Sequence, residues 1–81
     1  MNSNMHFQYY NSNALVVVNT KGQIRTLYTP IRVICVEATA TIPTGTYVYV
    51  EEVISNDRDQ LQYVISGQLY RYSHFHLCIY F

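Results

Sequence analysis

The sequence predicts an all-β fold, a small five-stranded barrel preceded by a β-hairpin and a flexible N-terminal arm. Short runs of alternating β-branched or aromatic residues recur along the chain, and clusters rich in Gly, Pro, Asn and Ser separate them. Nowhere do apolar residues recur at helical spacing over three turns without β-branched or aromatic crowding. With 81 residues, the chain is expected to form one domain.

The first stretch, residues 1–13, differs in composition from the rest of the chain. It is rich in Asn and Ser, and the triplet NSN occurs in it twice. Because these side chains compete for backbone hydrogen bonds, residues 1–13 are predicted to form a flexible arm. The alternative is a short edge strand that docks through Phe7, Tyr9 and Tyr10. The barrel domain is predicted to span residues 14–81.

Residues 14–29 have the composition of a β-hairpin. The valines at 16–18 are β-branched and favour an extended strand. Gly22 supplies the turn residue that tolerates a positive φ. The returning strand, 23–29, alternates between its two faces, and Pro30 ends it because proline cannot donate to a β-ladder.

Five strands are predicted after Pro30, at residues 31–38, 46–55, 61–66, 68–72 and 74–81. The first is apolar on both faces, which favours a central position in a sheet. Pro43 and Gly45 give the loop that follows it a tight-turn composition. The dipeptide Ser66-Gly67 is typical of a two-residue hairpin turn.

The strand at 46–55 alternates most clearly. Tyr47 and Tyr49 share one face and the intervening valines share the other, because successive side chains of a strand point to opposite faces. Glu52 then falls on the valine face. If the valines face the core, a strand end or a β-bulge must turn Glu52 outward.

Two stretches resemble the small β-barrel of the Src-homology-3 type. IPTGTYVYVEEV (42–53) resembles the entry into the second strand of that barrel, where bacterial versions carry a Pro and a Gly before alternating Val and Tyr. QLYRYSHFHL (68–77) resembles the fourth strand, a single-turn link and the fifth strand. The resemblance covers about residues 31–81 and implies a five-stranded meander.

The resemblance does not extend to the polyproline-binding residues of this family. The eukaryotic peptide-binding members carry an acidic first loop, a paired tryptophan and a proline–tyrosine pair. None of these motifs occurs in the present sequence. The resemblance therefore implies the fold and not that activity.

Charge and hydropathy exclude several functions. Five basic and five acidic residues cancel, and the basic ones form no run. Because nucleic-acid affinity comes mainly from neutralising phosphates, non-specific DNA or RNA binding is not favoured. The sequence contains no polybasic segment that would favour binding to an anionic membrane surface. No apolar run approaches the ~20 residues that a membrane-spanning helix needs. Residues 1–13 lack the features of a signal peptide, so a cytoplasmic location is expected.

The closing strand places His74, His76 and Cys78 on one face, opposite Phe75 and Leu77. One interpretation is a zinc or thiol site, because imidazole and thiolate both bind zinc. However, His74 and Cys78 lie ~13 Å apart along a strand, too far to chelate one ion easily. A Cys–His nucleophile also needs an orienting group and an oxyanion pocket, for which a small barrel has little volume. The favoured interpretation is a core strand with a polar outer face.

The tyrosines form the other candidate site. Nine occur in the chain, and an aromatic face is predicted from five of them: Tyr47, Tyr49, Tyr63, Tyr70 and Tyr72. If the three strands that carry them are neighbours, some of the rings lie side by side. Buried rings would support one another as ordinary cross-strand pairs. Exposed rings would form a platform that stacks a peptide, a sugar or a base.

These observations predict a small non-catalytic interaction module without a cofactor. Its expected partner is a protein or peptide, or a second copy of the chain, bound through the aromatic face or a strand edge. Charged residues make up only 12 % of the chain, which favours self-association. Two alternatives stay open: single-stranded nucleic-acid binding on the tyrosines, and a zinc or thiol site on the last strand.

Overall fold

The computed structural model describes residues 6–56, 58 and 60–79. These residues are all-β, as predicted, and form three antiparallel sheets of three strands each. No helix within them is long and apolar enough to cross a membrane. The strands are β1 (His6–Asn11), β2 (Ala14–Val18), β3 (Ile24–Tyr28), β4 (Ile31–Cys35), β5 (Tyr47–Val50), β6 (Glu52–Ser55), β7 (Leu61–Ile65), β8 (Gln68–Arg71) and β9 (Phe75–Leu77).

The first sheet has the order β1–β2–β3, and for the described residues from His6 onward it replaces the predicted flexible arm by the alternative, a short edge strand. His6–Asn11 form a strand on the far side of the predicted hairpin, while residues 1–5 lie outside the described part. Within this sheet Phe7 lies opposite Val17 and packs against the core, and its ring centre lies 6.0 Å from that of Tyr72. A backbone hydrogen bond of 2.8 Å from Val53 to Ser12 also ties this sheet to β6.

The second sheet has the order β5–β4–β9, which confirms the central position predicted for β4. β4 ends at Cys35, earlier than predicted. The last strand is also shorter than predicted, because Tyr72–His74 form one turn of 3₁₀ helix and only Phe75–Leu77 pair with β4. Tyr80 and Phe81, which were predicted to belong to this strand, lie outside the described residues.

The third sheet has the order β6–β7–β8, and its first strand continues β5 after a break. Val50 and Val53 are both 0 % exposed although they are three residues apart, so the alternation shifts by one position between them. The shift leaves Glu51 and Glu52 both exposed, which agrees with the prediction that a strand end or β-bulge turns Glu52 outward. The backbone N–H of Glu51 donates to Val64 of β7 at 2.8 Å and so joins the strand to the third sheet.

The β7–β8 hairpin has the predicted two-residue turn. Ser66 and Gly67 both have positive φ, of 51° and 74°. Positive φ at both central positions defines a type I′ turn, whose twist matches that of the flanking strands. Ile65 and Gln68 are consequently the first pair of the ladder.

Two polar loops share one hydrogen-bond arrangement. The side-chain oxygen of Asn19 accepts from the backbone N–H groups of Lys21 and Gln23, both at 3.0 Å. The side-chain oxygen of Asn56 likewise accepts from the N–H groups two and four residues later, at 2.9 and 3.0 Å. Each asparagine thus closes its own loop, which is a common role for this side chain in turns.

All three sheets contribute to one hydrophobic core. It contains Leu15, Val17, Ile31, Val33, Cys35, Ile42, Val50, Val53, Leu61, Tyr63, Ile65, Phe75 and Leu77. Phe75 and Leu77 are 4 % and 8 % exposed, which confirms the predicted inner stripe of the last strand. The ladders of the described residues do not close into one barrel, so the structure supports the predicted all-β class and not the predicted closure.

Candidate binding face

The outer face of the β5–β4–β9 sheet carries two exposed tyrosines. Tyr47 and Tyr49 are 54 % and 57 % exposed, while Val50 beside them is fully buried. The alternation of side chains along β5 places both tyrosines on one face, as predicted, and the structure shows that this face points away from the core. An exposed tyrosine offers a large apolar ring and a polar hydroxyl, which suits it to contact another molecule.

Residues of β4 and β9 complete this face. Tyr49 lies opposite Arg32, and Tyr47 lies opposite Ile34, which in turn lies opposite His76. Directly opposed residues of an antiparallel pair share one face of the sheet. We call this surface the tyrosine face, defined by Arg32, Ile34, Tyr47, Tyr49 and His76.

Arg32 and Tyr47 make a cation–π contact on the tyrosine face. The guanidinium carbon of Arg32 lies 4.3 Å from the centre of the Tyr47 ring. Such a contact holds the guanidinium flat against the ring and leaves its N–H groups available for an acceptor. The face thus combines apolar rings with one fixed positive charge.

An open groove of about 540 Å³ borders the tyrosine face. It lies beside the edge of β5 that does not pair with β4, and its lining comprises Pro30, Val48, Tyr49, Glu51, Ile65 and Ser66. Glu51 is held at the rim, because its side-chain oxygen accepts a hydrogen bond of 3.2 Å from the Gly67 N–H. The volume lies within the ~300–1,000 Å³ of typical ligand sites.

Tyr63, which was predicted for the aromatic face, lies in the core. It is only 2 % exposed, and its ring contacts that of Phe75 at 6.1 Å. Burial raises the pKa of the Tyr63 hydroxyl far above its ordinary value, and the nearby Tyr72 adds to the increase. Tyr63 therefore supports the fold and cannot contact a partner at the surface.

Tyr70 and Tyr72 also lie away from the tyrosine face. Tyr70 packs edge-on against Phe75 at 5.9 Å, and its hydroxyl bonds to Thr41 at 2.6 Å and to Gln68 at 2.7 Å. Tyr72 belongs to the 3₁₀ turn and lines a smaller pocket of about 200 Å³. The five predicted tyrosines are consequently split among the core, a half-buried site and separate surfaces.

The histidines and the cysteine of the closing segment have different environments. The Nδ1 atom of His74 lies 2.9 Å from the backbone oxygen of Glu37 and 3.6 Å from its carboxylate. His76 belongs to the tyrosine face. Cys78 is exposed, and its backbone N–H donates to the backbone oxygen of Arg32 at 3.1 Å. The described residues bring together no group of three His, Cys, Asp or Glu side chains able to hold a metal ion.

Cys35 does not join Cys78, although β4 pairs with β9. Its side chain points into the core, is 1 % exposed, and its sulfur lies 3.4 Å from the backbone oxygen of Glu37. Cys35 is thus buried on β4, Cys78 lies exposed just after the end of β9, and both are free thiols.

We expect the native protein to expose a single reactive thiol. Because the thiolate must be reached by reagent, Cys78 should react quickly with a thiol-specific dye and Cys35 only after unfolding. The measurement is the absorbance change with and without denaturant. Cys78→Ser should remove the fast reaction, whereas two fast thiols in the wild type would contradict the inward orientation of Cys35.

Two members of the tyrosine face, Arg32 and Ile34, were not among the predicted site residues. The apolar character of segment 31–38 on both faces does not single out Arg32 and Ile34 as members of an outer face. Their alternation with Ile31, Val33 and Cys35, all of which are buried, was the available indication. A charged residue at an alternating position marks the outward face of a strand.

Comparisons of the chain with protein families, with curated proteins and with solved structures each returned no match.

Proposed function

We propose that residues 31–79 form a small barrel of the Src-homology-3 type and that the protein is a non-catalytic interaction module. The strand order supports the barrel: β5 and β6 are two halves of one strand that serves two sheets. A tight hairpin, a 3₁₀ turn and a last strand that returns to β4 follow in the order implied by the resemblance.

The tyrosine face is the proposed binding surface. The observation that carries the proposal is the stacking of Arg32 on Tyr47 next to Tyr49, on a sheet face that the core does not use. Tyr and Arg are enriched at protein interfaces and among the residues that dominate binding energy. Two-ring surfaces of this kind bury much apolar area while losing little side-chain entropy.

The proposed partner is a protein or an extended peptide. An apolar side chain of the partner would enter the groove beside Tyr49. A carboxylate of the partner would pair with Arg32, because the parallel N–H donors of a guanidinium match the two oxygens of a carboxylate. Nucleic acid fits less well, because a binding groove for it needs several basic residues and the chain has a net charge of zero.

Selection from a displayed library of random peptides tests the proposal. We expect peptides to be recovered on the wild-type protein, and Tyr47→Ser/Tyr49→Ser to weaken the binding of a recovered peptide by roughly 30-fold or more. This corresponds to the loss of about 2 kcal/mol, the usual threshold for an interface hot spot. Isothermal titration calorimetry measures the two affinities.

Tyr10→Ser is the matched control, because Tyr10 is also an exposed strand tyrosine, at 67 %, on a different sheet. It should leave the affinity unchanged. Equal binding by the double variant and the wild type would rule out the tyrosine face. Failure to recover any peptide, together with salt-sensitive binding to a single-stranded oligonucleotide, would favour nucleic acid instead.

A further inference from the structure

The outer strand of the first sheet, β3, exposes apolar side chains along an unpaired edge. Ile24 and Tyr28 are each 70 % exposed, and Thr26 between them is also exposed. β3 pairs with β2 on one side, and no strand among the described residues pairs with it on the other. An open edge that carries apolar residues favours pairing with a further strand.

The pairing with β2 determines which backbone groups of β3 face the open edge. At one end of this hairpin, the backbone N–H of Thr29 donates to the backbone oxygen of Asn13 at 2.9 Å. At the other end, the backbone N–H of Asn19 donates to the backbone oxygen of Gln23 at 3.1 Å. In an antiparallel pair, every second residue bonds to the neighbouring strand. The N–H and C=O groups of Ile24, Thr26 and Tyr28 therefore point outward.

We infer that a second copy of the chain binds this edge, with the two β3 strands antiparallel and Thr26 opposite Thr26 of the other copy. This register places Ile24 opposite Tyr28 of the other copy. The outward-pointing N–H and C=O groups of Ile24, Thr26 and Tyr28 then form hydrogen bonds with the same outward-pointing groups of the other copy. A neighbouring register leaves outward groups unpaired or pairs fewer of them. The arrangement is two-fold symmetric, as most protein dimers are.

The side chains of β3 are self-complementary in this register. Each Ile24 meets a Tyr28, and β-branched residues paired with aromatic ones are favourable cross-strand neighbours. Arg25, the charged residue of β3, lies opposite Leu27 of the other copy and not opposite a second arginine. The half-buried Val16 and Val18 extend the same outer face inward from the edge. Because β3 matches itself in this register, a second copy of the chain fits the edge.

The inferred dimer does not depend on the tyrosine face. β3 belongs to the first sheet, whereas the tyrosine face belongs to the second. Loss of the dimer and loss of peptide binding are therefore separate outcomes, produced by different substitutions.

Light scattering on the wild type and on Thr26→Pro tests the edge. We expect the wild type at high concentration to have twice the mass of one chain, and Thr26→Pro to have the mass of one chain. Because the Thr26 N–H points away from β2, proline removes a donor of the interface and not a bond within the monomer. A wild type that remains monomeric at high concentration would overturn the inference.

A second variant guards against misfolding of the proline variant. Ile24→Lys places a charge on the edge, a common natural protection of open strands, and should abolish the dimer. Leu69→Lys is the matched control, since Leu69 is an exposed strand residue, at 52 %, on β8 of the third sheet. It should leave the dimer intact. A dimer that survives Ile24→Lys in a folded protein would overturn the inference.

Cross-linking tests the register. In a Cys78→Ser background, Thr26→Cys should be joined into a covalent dimer by a short bismaleimide, because the two Thr26 positions lie ~5.5 Å apart. Ile24→Cys should not, because the two Ile24 positions lie ~14 Å apart, four residues along the strands. Equal cross-linking of both variants would overturn the proposed pairing.

Discussion

Replacing Leu15 by alanine is expected to lower the free energy of unfolding by about 2–5 kcal/mol. Leu15 is 0 % exposed and lies on β2, in a core that contains residues from all three sheets. The substitution removes buried apolar area and leaves a cavity that the neighbours fill only in part. Since a domain of this size has a modest margin of stability, much of the population should unfold at elevated temperature. Urea titration followed by circular dichroism measures the change.

Leu69→Ala provides the control for this loss of stability. The same change of side chain at a position that is 52 % exposed should cost much less. The Leu15→Ala protein should also unfold in one transition, because the first sheet shares the core of the other two. A separate early transition, in which β1–β3 unfold alone, would contradict the shared core.

The stability of the protein is expected to fall steeply above about pH 10, the ordinary pKa of tyrosine. Burial raises the pKa of Tyr63 in the folded state, so above pH 10 the unfolded chain loses this proton while the folded chain retains it. The contribution of Tyr63 is fully present below pH 10 and is lost as the pH rises towards the folded-state pKa. The expected slope for this one group is about 1.4 kcal/mol per pH unit.

Tyr63→Phe isolates this contribution, because it preserves the ring and removes the ionisable hydroxyl. Urea titrations at pH 9, 10 and 11 should show a shallower decline of unfolding free energy in the variant than in the wild type. Identical slopes in the two proteins would contradict the burial of the Tyr63 hydroxyl.

Local alternation was sufficient to predict several elements of the structure. The two-residue period of a strand, visible in the sequence, predicts that Tyr47 and Tyr49 share one face and that Phe75 and Leu77 lie in the core. The hairpin turn at Ser66 was also local, since few dipeptides accept positive φ at both positions. These features depend only on neighbouring residues.

Features that depend on distant residues were not predictable in this way. The amphipathic character of tyrosine allowed Tyr63 to be assigned to a surface, although its apolar companions on the same face, Leu61 and Ile65, are core residues. Composition alone predicts an arm, whereas in the structure Phe7 lies opposite Val17 and its ring contacts that of Tyr72, which is distant in the sequence. Strand neighbours in a sheet are fixed by long-range packing, which composition does not reveal.

The candidate site shows the same division. The sequence predicted an aromatic surface and proposed a separate polar face on the last strand. The pairing of β4 with both β5 and β9 brings Tyr47, Arg32 and His76 onto one surface, which no local pattern indicates. Cys35 lies in the core at the end of β4, whereas Cys78 is exposed just after β9.

The most direct test of the tyrosine face is an amide chemical-shift map recorded while a library-selected peptide is titrated into the labelled protein. We expect the largest shifts at Arg32, Ile34 and residues 47–50, with smaller shifts at Ile65 and Ser66 around the groove. Largest shifts on β1 or β8, with the β5–β4–β9 sheet unchanged, would contradict the proposal and direct attention to another surface.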